Sequence, residues 1–296
     1  MLRFVLNEAG RLLLGLFGAA LMAAAVAALS VPHAADGLAY FLVAWAGRIN
    51  ELIHLRFGES VISGLSIFVE LATRLPLTLG LVGEGVVVAA LVGVPIGFLF
   101  GAGPVRRAAA PLIQIVAAAP VFCAGLALAY GAASLLHWPV PINGGASIGP
   151  GAFPQNAAQA QAMVLPALTV GLAGAAAVQL ALRRAAAEAG QESWRFFLRR
   201  MGLASWDVER SYVMPQIFAG LLASLGEVML ALLSAAAVAE WVFSCRGAAD
   251  LFVKSVALHD WSAAAAVLFV FASLTLVAQF VGQCGARLLT NPGPAR

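Results

Sequence analysis

A chain of 296 residues that is 62% hydrophobic and only 10% charged, with a mean hydropathy of +0.93, lies outside the range of soluble globular domains, where roughly a quarter of residues are charged. It reads as an all-α polytopic membrane protein. The net charge of +3 is too small and too dispersed to build a phosphate-binding face, which excludes nucleic acid as a partner.

Apolar runs of about twenty residues, enough to cross ~30 Å of hydrocarbon, fall at 11–31, 75–99, 109–136, 163–183, 217–240 and 263–285. They form one transmembrane domain over 1–296 with six spans, no soluble domain and no repeat of short fixed period. The first run, "RLLLGLFGAALMAAAVAALS", has a competing reading as a signal peptide cleaved near Ala28 or Ala35. Leu12 to Leu29 is longer than the usual apolar region of such a peptide, which favours an uncleaved helix.

Leu38–Phe57 has an apolar half too short to span and a mixed second half, and suits a helix lying at the membrane interface with Tyr40 and Trp45 at headgroup depth. After the second and third spans, His137–Gln155 is dense in Pro and Gly and reads as an ordered loop. A polar segment, about 184–215, separates the fourth and fifth spans. Between the fifth and sixth, "VFSCRGAADLFVKSVALHDW" can dip back into the bilayer only if protein covers its backbone polar groups.

Six spans place both termini on one side. Assigning the N-terminus to the cytoplasm leaves twelve of the 17 cations inside, against five outside: Arg48, Arg56, Arg74, Arg246 and Lys254. Cytoplasmic connections retain Lys and Arg, so both ends are expected inside.

Enzyme chemistry has no foothold. The phosphate loop G-x-x-x-x-G-K-[ST] and the H-E-x-x-H helix are missing from the sequence, so nucleotide hydrolysis and zinc-dependent membrane proteolysis lack their residues. Cys123, Cys245 and Cys284 fall at different depths and are not expected to pair.

The segment "RFFLRRMGLASWDVERSYVMPQ", Arg195–Gln216, is basic and aromatic at a cytoplasmic membrane face. One explanation is an interfacial helix anchored on anionic lipid. The other is a helix offered to a soluble partner, with Phe and Met anchors and a rim of arginines. The residues alone leave both open.

That segment resembles the coupling loop of binding-protein-dependent ATP-binding-cassette importers, whose permeases carry E-A-A-x-x-x-G, nine residues, then I-x-L-P. Gly202 is followed by nine residues and then Tyr212, Val213, Met214 and Pro215. Phe196, Phe197 and Leu198 occupy the E-A-A positions, and the "EAG" of Glu188–Gly190 is out of register. Such a departure, with "RMGL" at Arg200–Leu203, is similar to the dipeptide, oligopeptide and nickel branch. Within that branch the resemblance to the first permease subunit covers most of the chain. It includes "LRFGESVISGLSIFVELATRLPLTL" from Leu55, "VGVPIG" from Val92, "HWPVPINGG" from His137, "MVLPALTVGL" from Met163 and "VAEWVFSCRGAADLFVKSVALHDW" from Val238. The region before Leu55 departs, with "SVPHAADG" in place of the family's usual segment.

The resemblance implies a type I importer permease fold in a bacterial cytoplasmic membrane. It further implies pairing with a homologous second permease, two ATP-binding-cassette ATPases and an extracytoplasmic substrate-binding protein. ATP and magnesium would belong to the ATPases, with no cofactor or catalytic residue in this chain. Coupling would fall to Trp194, Arg195, Phe196, Phe197, Leu198, Arg199, Arg200, Met201, Gly202 and Pro215. The mechanism would be alternating access, a rigid-body switch driven from that loop.

Carboxylates inside spans are costly and face a cavity or a partner helix. Glu84 and Glu227, placed near mid-membrane, and Glu240, at the outer end of span five, are therefore candidates for the translocation path, together with Ser234. The alternative is a hydrogen bond between helices, to Gln114 or Gln179 for example. His33, His54, His137 and His259 all fall on the expected outer side, which suits a nickel or metal-chelate cargo, although none has ligand spacing to another. Di- and oligopeptides are the first expectation for cargo and metal chelates the second. A self-contained secondary transporter is the alternative of another class, but it normally shows paired broken helices and more ion-binding groups.

Overall fold

The computed structural model describes residues 2–29, 37–54, 56–99, 120–135, 137–138, 157–191, 200–202 and 204–290. These are almost wholly helical. α1 spans Leu2–Ala28, α2 Leu38–Ile53, α3 Ile67–Leu99, α4 Val121–Leu135 and α5 Ala157–Gln191. A short helix α6, Ser205–Val208, runs into one π-helical turn, Glu209–Val213. The chain then continues as α7 (Met214–Ala223), α8 (Leu225–Val242), α9 (Ala248–Ala257) and α10 (Trp261–Thr290). Among the described residues five helices are long and apolar enough to cross a membrane, and α4 is a shorter apolar helix. The first half of the expected third span, 109–119, lies outside the described residues, as does most of the His137–Gln155 loop.

Where they are described, the expected spans fall on helices, but their ends differ. α1 begins at Leu2 rather than 11, α3 at Ile67 rather than 75, and α5 runs over 157–191 rather than 163–183. Hydropathy marks only the part of a helix that needs lipid. The flanking polar turns here are also helical, closed by local pairs such as Arg11–Glu8 at 2.6 Å and Arg74–Glu70 at 2.6 Å. The segment 184–215 is accordingly a shorter connection than the sequence suggested, because Arg184 to Gln191 continues α5. Its run of Ala and Glu favours helix beyond the bilayer.

α3, α5 and α8 form the core. On α3 the residues Gly85, Ala89, Gly93 and Gly97 recur every fourth position and make one ridge. A Cβ placed at Gly85 would meet Val170 at 2.7 Å, at Gly93 the Ala175 carbonyl at 2.8 Å and at Gly97 Leu182 at 2.6 Å. Small residues at this spacing let two backbones approach in lipid, where dispersion rather than the hydrophobic effect holds helices together. α8 completes the layer through Leu232 and Leu233, both essentially inaccessible.

α1 lies along α10 through an alanine seam, Ala23, Ala24 and Ala27 against Ala263, Ala265 and Ala266. This gives the first helix a packed place in the bundle. α2 lies against α1, and its Trp45 Nε1 donates to the Leu21 carbonyl at 2.9 Å. Trp45 is thus tied to α1, while Tyr40 is exposed.

Candidate substrate path and coupling surface

At one end of the bundle, the outer end in the expected orientation, two acidic residues organise the connections. Asp260 caps α10: its Oδ1 accepts from Ala263 N at 3.2 Å, while Oδ2 accepts from Ser60 Oγ at 2.6 Å and Val61 N at 3.0 Å. This fastens the turn before α3 to the start of α10. Glu240 does the same for α9. Its Oε1 accepts from Thr78 Oγ1 at 2.6 Å, and its Oε2 accepts from Asp250 N at 2.7 Å. Thr78 Oγ1 in turn accepts from Ala248 N at 2.8 Å.

The first turn of α9 therefore has its otherwise unpaired N–H groups met by side chains from α3 and α8. A carboxylate at that position also complements the helix dipole. This is the covering of backbone polar groups that a segment dipping toward the bilayer requires. Gly247 admits it, since a Cβ there would collide with the Glu240 carboxylate. Asp250, also buried, is paired with Lys254 at 2.6 Å and lies 3.7 Å from Arg74.

Glu240 is fully enclosed. Its carboxylate is the centre of a node joining α3, α8 and α9. It has no exposed face in this chain.

The other candidates lie differently. On α8, Glu227, Leu230, Ser234 and Trp241 are all exposed. Offsets of three, seven and fourteen put them on a single stripe. Glu227 pairs with Arg184 of α5 at 2.8 Å, and Gln114, considered as a partner from the sequence, lies outside the described residues. Arg184 lies in the last third of α5, about 40 Å along the axis from Ala157, so Glu227 is nearer that end than the mid-membrane depth expected. Glu84 is half-buried on α3.

Of the coupling residues, Trp194, Arg195, Phe196, Phe197, Leu198 and Arg199 lie outside the described residues. Arg200, Met201 and Gly202 are exposed, Met201 by 66%. Gly202 has φ +87°, a left-handed turn that only glycine adopts without strain. This is a physical reason for glycine at that point of the loop. Pro215 sits in the first turn of α7, and the turn before it is widened, Met214 N–H reaching back five residues to Glu209 O. A proline ring clashes with the carbonyl four residues earlier in a regular helix, and the widened turn accommodates it. Around it Arg210, Met214, Pro215, Phe218, Leu222 and Leu289 line an apolar groove of about 350 Å³.

Residues 85–290 match the family described as "Binding-protein-dependent transport system inner membrane component". The match covers more than two thirds of the chain and takes in the second half of α3, all of α5 and α8, the π turn, Glu240 and α9. The chain belongs to this family. Such permeases are the membrane subunits of their transport systems. The "Peptide transport system permease protein SapB" of Salmonella typhimurium is 27% identical over 271 residues, covering 84% of this chain and 84% of its own length. A "Putrescine export system permease protein SapB" of Escherichia coli is 26% identical over 272 residues, with 84% of both chains covered. The "Probable D,D-dipeptide transport system permease protein DdpB" of Escherichia coli is 28% identical over 255 residues, covering 77% of this permease and 74% of that one.

Sequence reasoning missed the Arg184–Glu227 pair, the Thr78–Glu240 node and the two glutamines of α10 described below. Only the glutamines carried a signal, as amides in an otherwise apolar run. Among the described residues of the permease no three His, Cys, Asp or Glu side chains gather into a group that could hold a metal ion.

Proposed function

We propose that this permease forms half of the channel of an ATP-driven importer in a bacterial cytoplasmic membrane, with peptides as its cargo. Family membership over 85–290 carries the reading, and the names of its relatives favour peptides. A homologous second permease closes the channel against the α8 stripe. Glu227, Ser234 and the half-buried Glu84 line the path, and Glu240 keeps its outer end in shape. Two ATPases dock on the coupling segment, with Phe196, Phe197 and Met201 as anchors, and a binding protein delivers cargo from outside. Both termini face the cytoplasm.

A polyamine is the second reading, favoured by the relative named for putrescine and by carboxylates on the proposed path. Nickel chelates remain the third cargo class to test. The deciding experiment is the ATPase rate of the reconstituted complex with its binding protein, offered peptides, putrescine and nickel chelates in turn. Stimulation by peptides supports the reading. Stimulation by putrescine or nickel chelates alone replaces it.

A further inference from the structure

The run 217–240, one span by hydropathy, is broken. α7 ends at Ala223, Ser224 takes φ −95° and ψ 8°, and α8 restarts at Leu225. No proline causes this, Pro215 lying two turns earlier, so the break needs another support. A break inside hydrocarbon frees backbone groups that must find partners within the protein.

They find them on α10. Gln279 Nε2 donates to the Ala223 carbonyl at 3.0 Å, while Gln279 Oε1 accepts from Gly226 N at 3.2 Å. One amide thus bridges the break. Gln283, one turn on, donates to the same Ala223 carbonyl at 3.3 Å. Glycines make the room: a Cβ at Gly226 would collide with the Gln279 amide, and one at Gly282 with the Leu222 carbonyl. Amides in an apolar helix are costly unless paired, and here the pairing has a direction that packing alone does not require.

We infer that Gln279 is a positioning residue for transport: its amide clasps the Ala223–Gly226 break and fixes the angle between α7 and α8. α7 continues from the coupling segment and α8 carries Glu227 and Ser234, so movement of the first reaches the second at one set geometry instead of being absorbed at Ser224. The transport half of this inference rests on the importer reading above. The clasp itself does not.

The test uses two variants. Gln279→Met keeps length and volume but loses both hydrogen bonds; Gln279→Asn keeps the amide but is one methylene too short to span Ala223 and Gly226 together. Spin labels at Phe218→Cys and Trp241→Cys, about 35 Å apart along the axis, are introduced into a Cys123→Ser/Cys284→Ser chain in nanodiscs. The wild-type clasp should give one narrow distance. Gln279→Met should broaden or shift it, with Gln279→Asn changed in the same sense. In the reconstituted complex, cargo moved per ATP should fall about three- to tenfold for Gln279→Met, the range of one or two interhelical hydrogen bonds in a membrane, with the ATPases still bound.

A Gln279→Met chain with the wild-type distance and the wild-type ratio of transport to hydrolysis overturns the inference and leaves Gln279 a packing residue. If Gln279→Met does not accumulate, Gln279→Asn takes its place in both measurements: a changed distance and a lowered ratio support the clasp, and wild-type values overturn it. A wild-type complex that does not couple ATP to transport sinks the importer reading, while the distance measurement still decides the clasp.

Discussion

Arg184 and Glu227 close a 2.8 Å ion pair between α5 and α8, three residues beyond the break at Ser224. Their side chains are 54% and 64% exposed, so the pair lies on the surface of the isolated chain. Charges facing lipid are expensive, whereas charges facing a partner subunit or a watered cavity are not. Because exposed pairs add under about 1 kcal/mol to stability, Glu227→Gln should leave unfolding and assembly nearly unchanged and alter transport or its coupling to ATP. Arg184→Gln, which strands the carboxylate, should be more damaging, and the double variant should recover part of the loss. A Glu227→Gln chain that no longer folds would make the residue structural.

The Thr78–Glu240 node should behave oppositely. Thr78→Val keeps the shape but removes the donor to Glu240 and the acceptor for Ala248 N. Leaving buried polar groups unmatched costs about 1–3 kcal/mol each. Thermal unfolding of the purified chain should fall clearly for Thr78→Val and little for Thr78→Ser. Equal midpoints for Thr78→Val and wild type would remove the node as a source of stability.

These two sites show what a sequence of this kind reveals. Spans are legible because lipid demands a run of apolar residues, and the spacing from Gly202 to Pro215 is what makes this loop resemble a coupling segment. The role of Glu240 was not legible, since its partner Thr78 is 162 residues away and nothing in the pattern of α3 singles that threonine out. Nor was the break at Ser224: "LLASLGEVML" stays apolar enough to read as one helix, and its support comes from α10. Gln279 and Gln283, one turn apart in an apolar run, were the visible half of that pairing.

Burial, with the carboxylates of Glu240 and Asp250 nearby, pushes the Cys245 thiol up to about 12. The thiolate is the reactive form, so at pH 7–8 Cys245 should resist a water-soluble maleimide until the chain is unfolded. The unfolded thiol ionises near 9 and the folded one near 12, so this group's contribution to stability is intact below pH 9 and declines from there toward pH 12. Prompt labelling in the folded chain would contradict the enclosed position. In a Cys123→Ser/Cys284→Ser chain a silent Cys245 also makes topology measurable: a cysteine at Ser205 should label only from the cytoplasm and one at Asn143 only from outside, and reversed labelling would overturn the orientation.

Phe196, Phe197 and Met201 fall at helical spacing, so one helix face can present all three to a groove in an ATPase. Truncating a buried aromatic anchor typically costs ~2 kcal/mol or more, and a rim charge far less. Phe197→Ala should therefore release or uncouple the ATPases with the two permeases still paired, as seen by co-purification, and Arg199→Ala should be milder. Full binding and transport by Phe197→Ala, with charge reversal at Arg199 and Arg200 only loosening contact with anionic vesicles, would make the segment a lipid anchor.

On the importer reading this chain moves cargo only as a subunit driven by ATP. Proteoliposomes holding the purified chain alone, with cargo and an imposed proton or sodium gradient, are compared with proteoliposomes holding the complex of both permeases, ATPases, binding protein and ATP. Uptake is expected from the complex, abolished when ATP is replaced by a non-hydrolysable analogue, and none from the chain alone. Gradient-driven uptake by the chain alone would contradict it and establish a self-contained transporter.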